Sequence, residues 1–425
     1  MRPATAKRVE RVERVGEAWA GHNVGFAYHV DGGEFVAYYG PERRLHVAGR
    51  RDAGSPEGPG GEWEEVVLDE RVGWDSHNDL ALTTDSHGYL HLSGNVHNDP
   101  LVYFRSEEPR DVRTLERVGS LVGEDEDSTT YPRFIDGPGD ELVYMYRDGG
   151  SGDGRRLLNA YDPHTKTWRR LLASPLLDGR GEMNAYPQGP LRGPNGDYHL
   201  AWVWRDTPDA ATNHDVSYAR SPDLQKWERA DETGLTLPIT AADGAVVDPI
   251  PANAGLINSN LELGFDGGGR PILSYHAFDD EGNTQAYNAR YDGDGWTRTR
   301  ASDWDYRWAF GGRGSLDEAI DLDPVRPCSD GLVQTFRHAE YGAGRWVLDP
   351  ETLEALRRDV PWHGLPAGAR EPTGDTPGVR VQWAVPGRAP ADPERALRWE
   401  ALPPNRDEAR DEAPPASDLA VYYFE

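Results

Sequence analysis

The chain has 425 residues, with 73 acidic against 45 basic side chains and a formal net charge of −28 at pH 7. Such a surface repels a polyanion, which excludes nucleic acid as a partner and means that any anionic ligand must meet a local cationic pocket. No run approaches the ~20 apolar residues of a membrane-spanning helix, so no membrane partner is expected.

Glycine (48), proline (33) and a 10% aromatic content favour many short strands joined by turns over helices. Lysine occurs only at Lys7, Lys166 and Lys226, so almost all positive charge is arginine. A high-GC genome and a surface adapted to high salt both produce this bias, and the second is favoured. The single Cys328 excludes an internal disulfide and leaves the redox compartment open. Charges occupy Met1 to Arg14 where a secretion signal would be apolar, so a cytoplasmic protein is expected, or a secreted one if a leader has been trimmed.

In chain order, an acidic-glycine turn followed by a short alternating strand recurs. It opens at Asp31, Asp85, Asp136, Pro194, Asp266 and Asp330. Copies spaced by roughly 50 to 70 residues are the mark of a propeller of four-stranded antiparallel blades. A second element, Tyr161 to Trp168, Ser221 to Trp227 and Tyr291 to Trp296, resembles a degenerate Asp-box and reads as structural turns. Six copies plus a blade shared by the termini predict an all-β, seven-bladed propeller forming one domain over residues 1–425, with six or eight blades as alternatives. The alternating stretch Asp418 to Glu425 is the expected closing strand, and Ala389 to Glu394 is expected to be a surface loop.

Loops from successive blades converge at one mouth of a propeller, so residues flanking the repeat strands are the place to look for chemistry. His77 and His97 flank the second repeat strand, and a hairpin between Leu80 and Gly94 would bring their rings together. Tyr131 and Arg147 flank the third, Tyr186 and Arg205 the fourth.

The text "DSHND…DSHGYLHLSGNVHN", "TTYPRF…LVYMYRDGGSG" and "AYPQG…GDYHLAWVWRDTPDAATNHDVSYARSPD", over about residues 74 to 223, resembles the β-propeller polysaccharide lyases of the ulvan-lyase type, with their neuraminidase-type repeats. Leu256 to Asn260 and Gly269 to His276 match more loosely. The resemblance implies a lyase acting on an acidic, uronate-containing polysaccharide. The family's His, Tyr and Arg roles fall on His77, Tyr131 and Arg147, with His97 in support. Tyr186, Arg205, Asn78 and His214 are then substrate-binding candidates.

The residue types suit β-elimination in their own right. An arginine fork neutralises the uronate carboxylate, and a His and a Tyr move protons at C5 and O4. Which of His77 and Tyr131 is base and which acid stays open.

Two other readings compete. A sialidase-type hydrolase needs a three-arginine cluster that the strand positions of Arg147 and Arg205 do not complete. A non-catalytic carbohydrate-binding propeller would use Trp202, Trp204 and Tyr186 as a stacking platform. A monomer is expected, with no catalytic metal and no required cofactor. A structural ion is left open, with His77 and His97 beside Asp75 or Asp99, or Cys328 with His276 and His338, as the candidates.

Overall fold

The protein is described by a computed structural model covering residues 8–51, 61–329, 331–359, 366–387 and 394–425. Among these residues the chain forms seven antiparallel sheets of four to six strands. Helix is confined to short 3-10 turns and the single turn Ala367–Arg370. Among the described residues no helix is long and apolar enough to cross a membrane.

The repeat lands on the same strand each time. Gly33–Tyr39, Leu90–Ser93, Leu142–Gly150, Tyr198–Arg205, Pro271–Phe278 and Gly331–His338 each lie inside their sheet with an antiparallel neighbour on either side. The acidic-glycine turn explains the regularity. Asp85 Oδ1 accepts the N–H groups of His87 and Tyr89, both at 2.9 Å, and Asp266 Oδ1 accepts those of Gly268 and Arg270 at the same distance. One carboxylate thus closes the turn, while Gly88 and Gly269 take the left-handed backbone it needs. Asp330, which opens the sixth copy, lies outside the described residues.

The Asp-box-like segments are turns leaving third strands. Asp223 Oδ1 accepts the N–H groups of Gln225 and Lys226 at 2.9 and 2.8 Å, above the buried Trp227.

Sheets pack on their neighbours through alternating side chains. Trp202 and Trp204 are buried in one core cluster with Met145 and Leu158 of the preceding sheet. This corrects the expectation of a stacking platform. Strand alternation turns both indoles to the inter-sheet core, where they carry packing rather than sugar.

The last sheet draws on both ends of the chain. Val9–Ala18 pairs with Ser417–Phe424, which continues to Arg395–Ala401 and Arg380–Ala384. A buried ion cluster ties it to the first sheet. Glu34 accepts from Tyr28 (2.8 Å), Arg50 Nε (2.8 Å), Arg395 (2.7 Å) and Tyr423 (2.9 Å). The loop expected at Ala389 to Glu394 lies outside the described residues except for Glu394.

Candidate active site

The hairpin expected between Leu80 and Gly94 forms from Ala81–Thr84 and Leu90–Ser93, with Ala81 opposite Ser93. Beyond it the chain at Gly94 comes so close to Asp79 that a Cβ would sit 2.6 Å from the Asp79 carbonyl oxygen. That approach, open only to glycine, delivers His97 to His77. Their rings stack with centroids 4.4 Å apart.

Asp75 joins the two rings. Its Oδ1 accepts from the backbone and Nδ1 of His77 at 2.9 and 2.7 Å, and its Oδ2 meets His97 Nδ1. With each Nδ1 engaged, the Nε2 atoms have no partner among the described residues and both rings line a cleft of 710 Å³. Burial works against a charge on His77, but Tyr131, Asp407 and Asp75 outweigh it and raise the imidazolium to about 11. Asp75, although half-buried, is held well below the carboxylate range by the His77 and His97 rings, and Asp407 falls to about 2.

Tyr131 reaches the cleft because its strand is broken. Thr130 pairs with Arg147 and Arg133 with Met145, leaving a bulge between them, and Tyr131 takes φ 55°. A bulge re-aims a side chain out of the ladder, and a left-handed tyrosine costs energy that surrounding structure must hold. Its ring lies 6.1 Å from those of His77 and Tyr186 and 6.2 Å from His97.

Arg147 departs from the expectation. It is fully buried beneath Tyr131, its guanidinium 5.1 Å from that ring, and is not part of the cleft wall. Its Nε donates to Gly149 O (2.9 Å) and its Nη2 to Asn98 Oδ1 (3.0 Å) and Thr130 Oγ1 (3.1 Å), while Nη1 is buried without a hydrogen-bond partner among the described residues. The bulged Tyr131 folds over it, making Arg147 a support for Tyr131 rather than a clamp on substrate.

Tyr186 and Arg205 do line the cleft. Arg205 donates to the Tyr186 hydroxyl at 3.2 Å and to Asn258 Oδ1 at 2.6 Å, and Ser151 Oγ lies 2.6 Å from the same hydroxyl. Burial pushes Tyr186 up, yet Arg205 and Arg147 prevail and bring it down to about 8.

The other two candidates lie elsewhere. Asn78 is buried behind the wall, donating to Asp75 O at 3.1 Å. His214 sits off the wall between the carboxylates of Asp206 and Asp215, each at 3.0 Å, surroundings that would repel an acidic sugar.

A family model for BNR repeat-containing family members matches residues 33–304. The chain belongs to that family. Its fold is similar to that of a polysaccharide lyase, PL25 ulvan lyase, bound to -[GlcA(1-4)Rha3S]-, with a TM-score of 0.59, 14% identity, and 97% of this chain and 96% of that one covered. Polysaccharide lyase Uly1 is similar with a TM-score of 0.59, 12% identity, and 96% and 91% covered. At these identities the likeness is one of fold. No curated protein matches in sequence.

In this BNR-repeat chain the cations that reach the cleft are Arg133, Arg156, Arg205 and Arg313. Arg133 and Arg156 donate to backbone carbonyls, of Gly189 at 2.8 Å and of Ala185 at 3.0 Å. Neither they nor Arg205 makes an ion pair with a carboxylate among the described residues. Burial and the nearby Arg147 pull Arg156 down to about 9. Four arginines and an imidazolium therefore share one cleft of a strongly acidic protein. Arg156 follows the repeat strand and Arg133 stands in the "TYPRF" text, so both were within reach of sequence reasoning. Arg313, Glu318 and Asp407 come from late segments with no matching pattern.

Among the described residues Asp75, His77 and His97, whose ligand atoms lie within 4.8 Å of one another, are those that could hold a metal ion. Cys328 is exposed whereas His276 and His338 are buried beside Trp308 and Trp304, so the second candidate set does not assemble among the described residues.

Proposed function

We propose that the protein is a polysaccharide lyase that cleaves a uronate-containing glycan by β-elimination, on a seven-bladed propeller whose last blade is shared by the chain termini. The observation that carries the reading is the cleft itself: an imidazolium, two tyrosines and arginines without carboxylate partners, converging in a chain of net charge −28. The fold likeness to lyases named for ulvan supports the choice of an acidic glycan with a rhamnose–glucuronate repeat.

The uronate carboxylate binds among the cleft arginines, with Arg156 and Arg133 behind Tyr131, and the loss of its charge acidifies the C5 proton. Tyr131, beside both histidines, takes that proton as its phenolate and becomes the phenol. The electron pair forms the C4=C5 double bond as the C4–O4 bond breaks. His77, charged at neutral pH, gives its Nε2 proton to the departing O4. His97, stacked on His77 and tied to the same carboxylate, orients the sugar.

The test is ultraviolet absorbance of the unsaturated product across a panel of acidic polysaccharides. Growth of absorbance on a uronate polymer supports elimination. New reducing ends without absorbance would move the protein to the hydrolases, and binding without either product to the carbohydrate-binding propellers.

A further inference from the structure

One carboxyl on the cleft wall has no part in this mechanism. Glu318 lines the cleft beside the loop that carries Arg313 and Ser315. It is held from behind by Asn260, whose Nδ2 lies 3.2 Å from Oε2. Asn260 is itself rigid, donating to Ile320 O at 2.7 Å and accepting from Leu322 N at 2.8 Å.

The charged groups around Glu318 are committed elsewhere. Arg337 pairs with Asp321 and gives Glu318 only a bond to its backbone oxygen, at 3.2 Å. Asp317 forms a two-pronged pair with Arg380 at 2.6 and 2.8 Å. Among the described residues no cation is in ion-pair contact with the Glu318 carboxyl, and Asp321, of like sign, disfavours its charge more than Arg337 favours it. Partial burial beside a like charge favours the protonated form of such a carboxyl. Burial, with Asp321 adding to it and Ser259 opposing, pushes Glu318 up to about 8.

The turn Asn258–Asn260 ties this acid to the substrate-facing arginine. Asn258 Oδ1 takes Arg205 at 2.6 Å, while Asn260, two residues on, holds Glu318. A cation and a neutral acid thus stand on either side of one turn and open into one cleft.

We propose that Glu318 is a specificity-determining residue that works as a carboxylic acid, donating a hydrogen bond to an oxyanion of the glycan, a sulfate ester or a second uronate, that Arg205 holds from the other side. The pair recognises charge without needing a second permanent cation, and it rejects the same group once Glu318 ionises, because two anions would then face each other. The inference rests on the cleft taking an acidic glycan and not on the elimination step.

Equilibrium binding of sulfated and desulfated glucuronate–rhamnose oligosaccharides tests it, using wild type, Glu318→Gln and Glu318→Ala near neutral pH and at about pH 9. One unit above the folded value leaves about a tenth of the acid protonated, so wild-type affinity for the sulfated ligand should fall about tenfold. Glutamine, a donor that cannot ionise, should lose only what Tyr186 ionisation costs and so fall less than wild type, and alanine should bind weakly at both. Tyr186 also ionises in this range, but its effect would persist in Glu318→Gln. A pH fall limited to the sulfated ligand identifies sulfate as the oxyanion, and the same fall with both ligands identifies a carboxylate. An alanine variant that binds like wild type, or a glutamine variant that follows the wild-type pH fall, overturns the proposal. Binding with this pattern but no unsaturated product leaves it standing and removes the lyase reading.

Discussion

Asp407, in the loop before the last strand, places Oδ2 3.4 Å from Nδ1 of His77, near the opposite end of the chain. The same carboxylate accepts from Ser76 Oγ at 3.2 Å and Ser315 Oγ at 2.7 Å, so it fastens two cleft loops at once. His77 is raised above its ordinary 6.5 to about 11, with Asp407 among the causes. The resulting stabilisation is complete below about pH 6.5 and is lost as pH rises through about 11. Asp407→Asn keeps the shape and removes the charge. The alkaline limb of the pH–rate profile should then move down by about one unit or more, and an NMR titration of the His77 ring should move with it. A limb that stays in place would mean that Asp407 only ties the loops together.

Removing the rings separates proton transfer from orientation. His77→Ala should lower turnover by about 10²- to 10⁴-fold while the melting temperature stays within a few degrees, since a residue at the mouth of the cleft carries little packing. His97→Ala should weaken turnover without abolishing it. If the pair with Asp75 instead holds a metal, either change should destabilise the fold and a chelator should reproduce the effect. Retained activity in His77→Ala would remove this residue from the chemistry.

Arginine substitutions distinguish support from binding. Arg147→Lys loses a geometry that engages Asn98, Thr130 and Gly149, and charged hydrogen bonds are worth about 1.5–3 kcal/mol each. Its melting temperature should fall together with kcat as Tyr131 loosens. Arg205→Gln should leave the melting temperature nearly unchanged and raise KM. It should also return Tyr186 from about 8 towards its ordinary value of 10, read as a later phenolate absorbance on alkaline titration. A stable, fully active Arg147→Lys would contradict this division.

The first and last sheets meet through Glu34, which is fully buried among Arg50, Arg395, Tyr28 and Tyr423. Glu34→Ala leaves Arg395 without its counter-charge and Arg50 with Glu13 alone, and breaking such a buried pair costs about 3–5 kcal/mol. Chemical denaturation should show a midpoint far below that of wild type. A shift within the range of ordinary surface substitutions would mean that strand pairing alone holds the termini.

A net charge of −28 should make stability depend on salt. The melting temperature should rise from low to molar sodium chloride, because screening relieves repulsion among carboxylates. A flat or falling trend would leave the arginine bias to genome composition.

The strands and much of the cleft were legible in the sequence because their signals are local. A carboxylate and a glycine close each turn, alternation marks the strand that follows, and the residues flanking it must emerge at its ends. That logic placed the His77–His97 hairpin, Tyr131, Tyr186 and Arg205 on one cleft, and marked Asp418 to Glu425 as the closing strand, which forms as Ser417–Phe424 against the N-terminal one. Tertiary structure decided the rest. Arg147 looked equivalent to Arg205 by position, but a bulge folds Tyr131 over one and leaves the other open to the cleft. Asn78 and His214 carried the right side chains beside the right motifs and point to other partners. Asp407, Arg313 and Glu318 enter the site from loops with no repeat to announce them. Protonation is likewise beyond a local pattern: whether His77 is charged or Glu318 neutral depends on burial and on carboxylates brought close from distant segments, and only the assembled sheets set those distances.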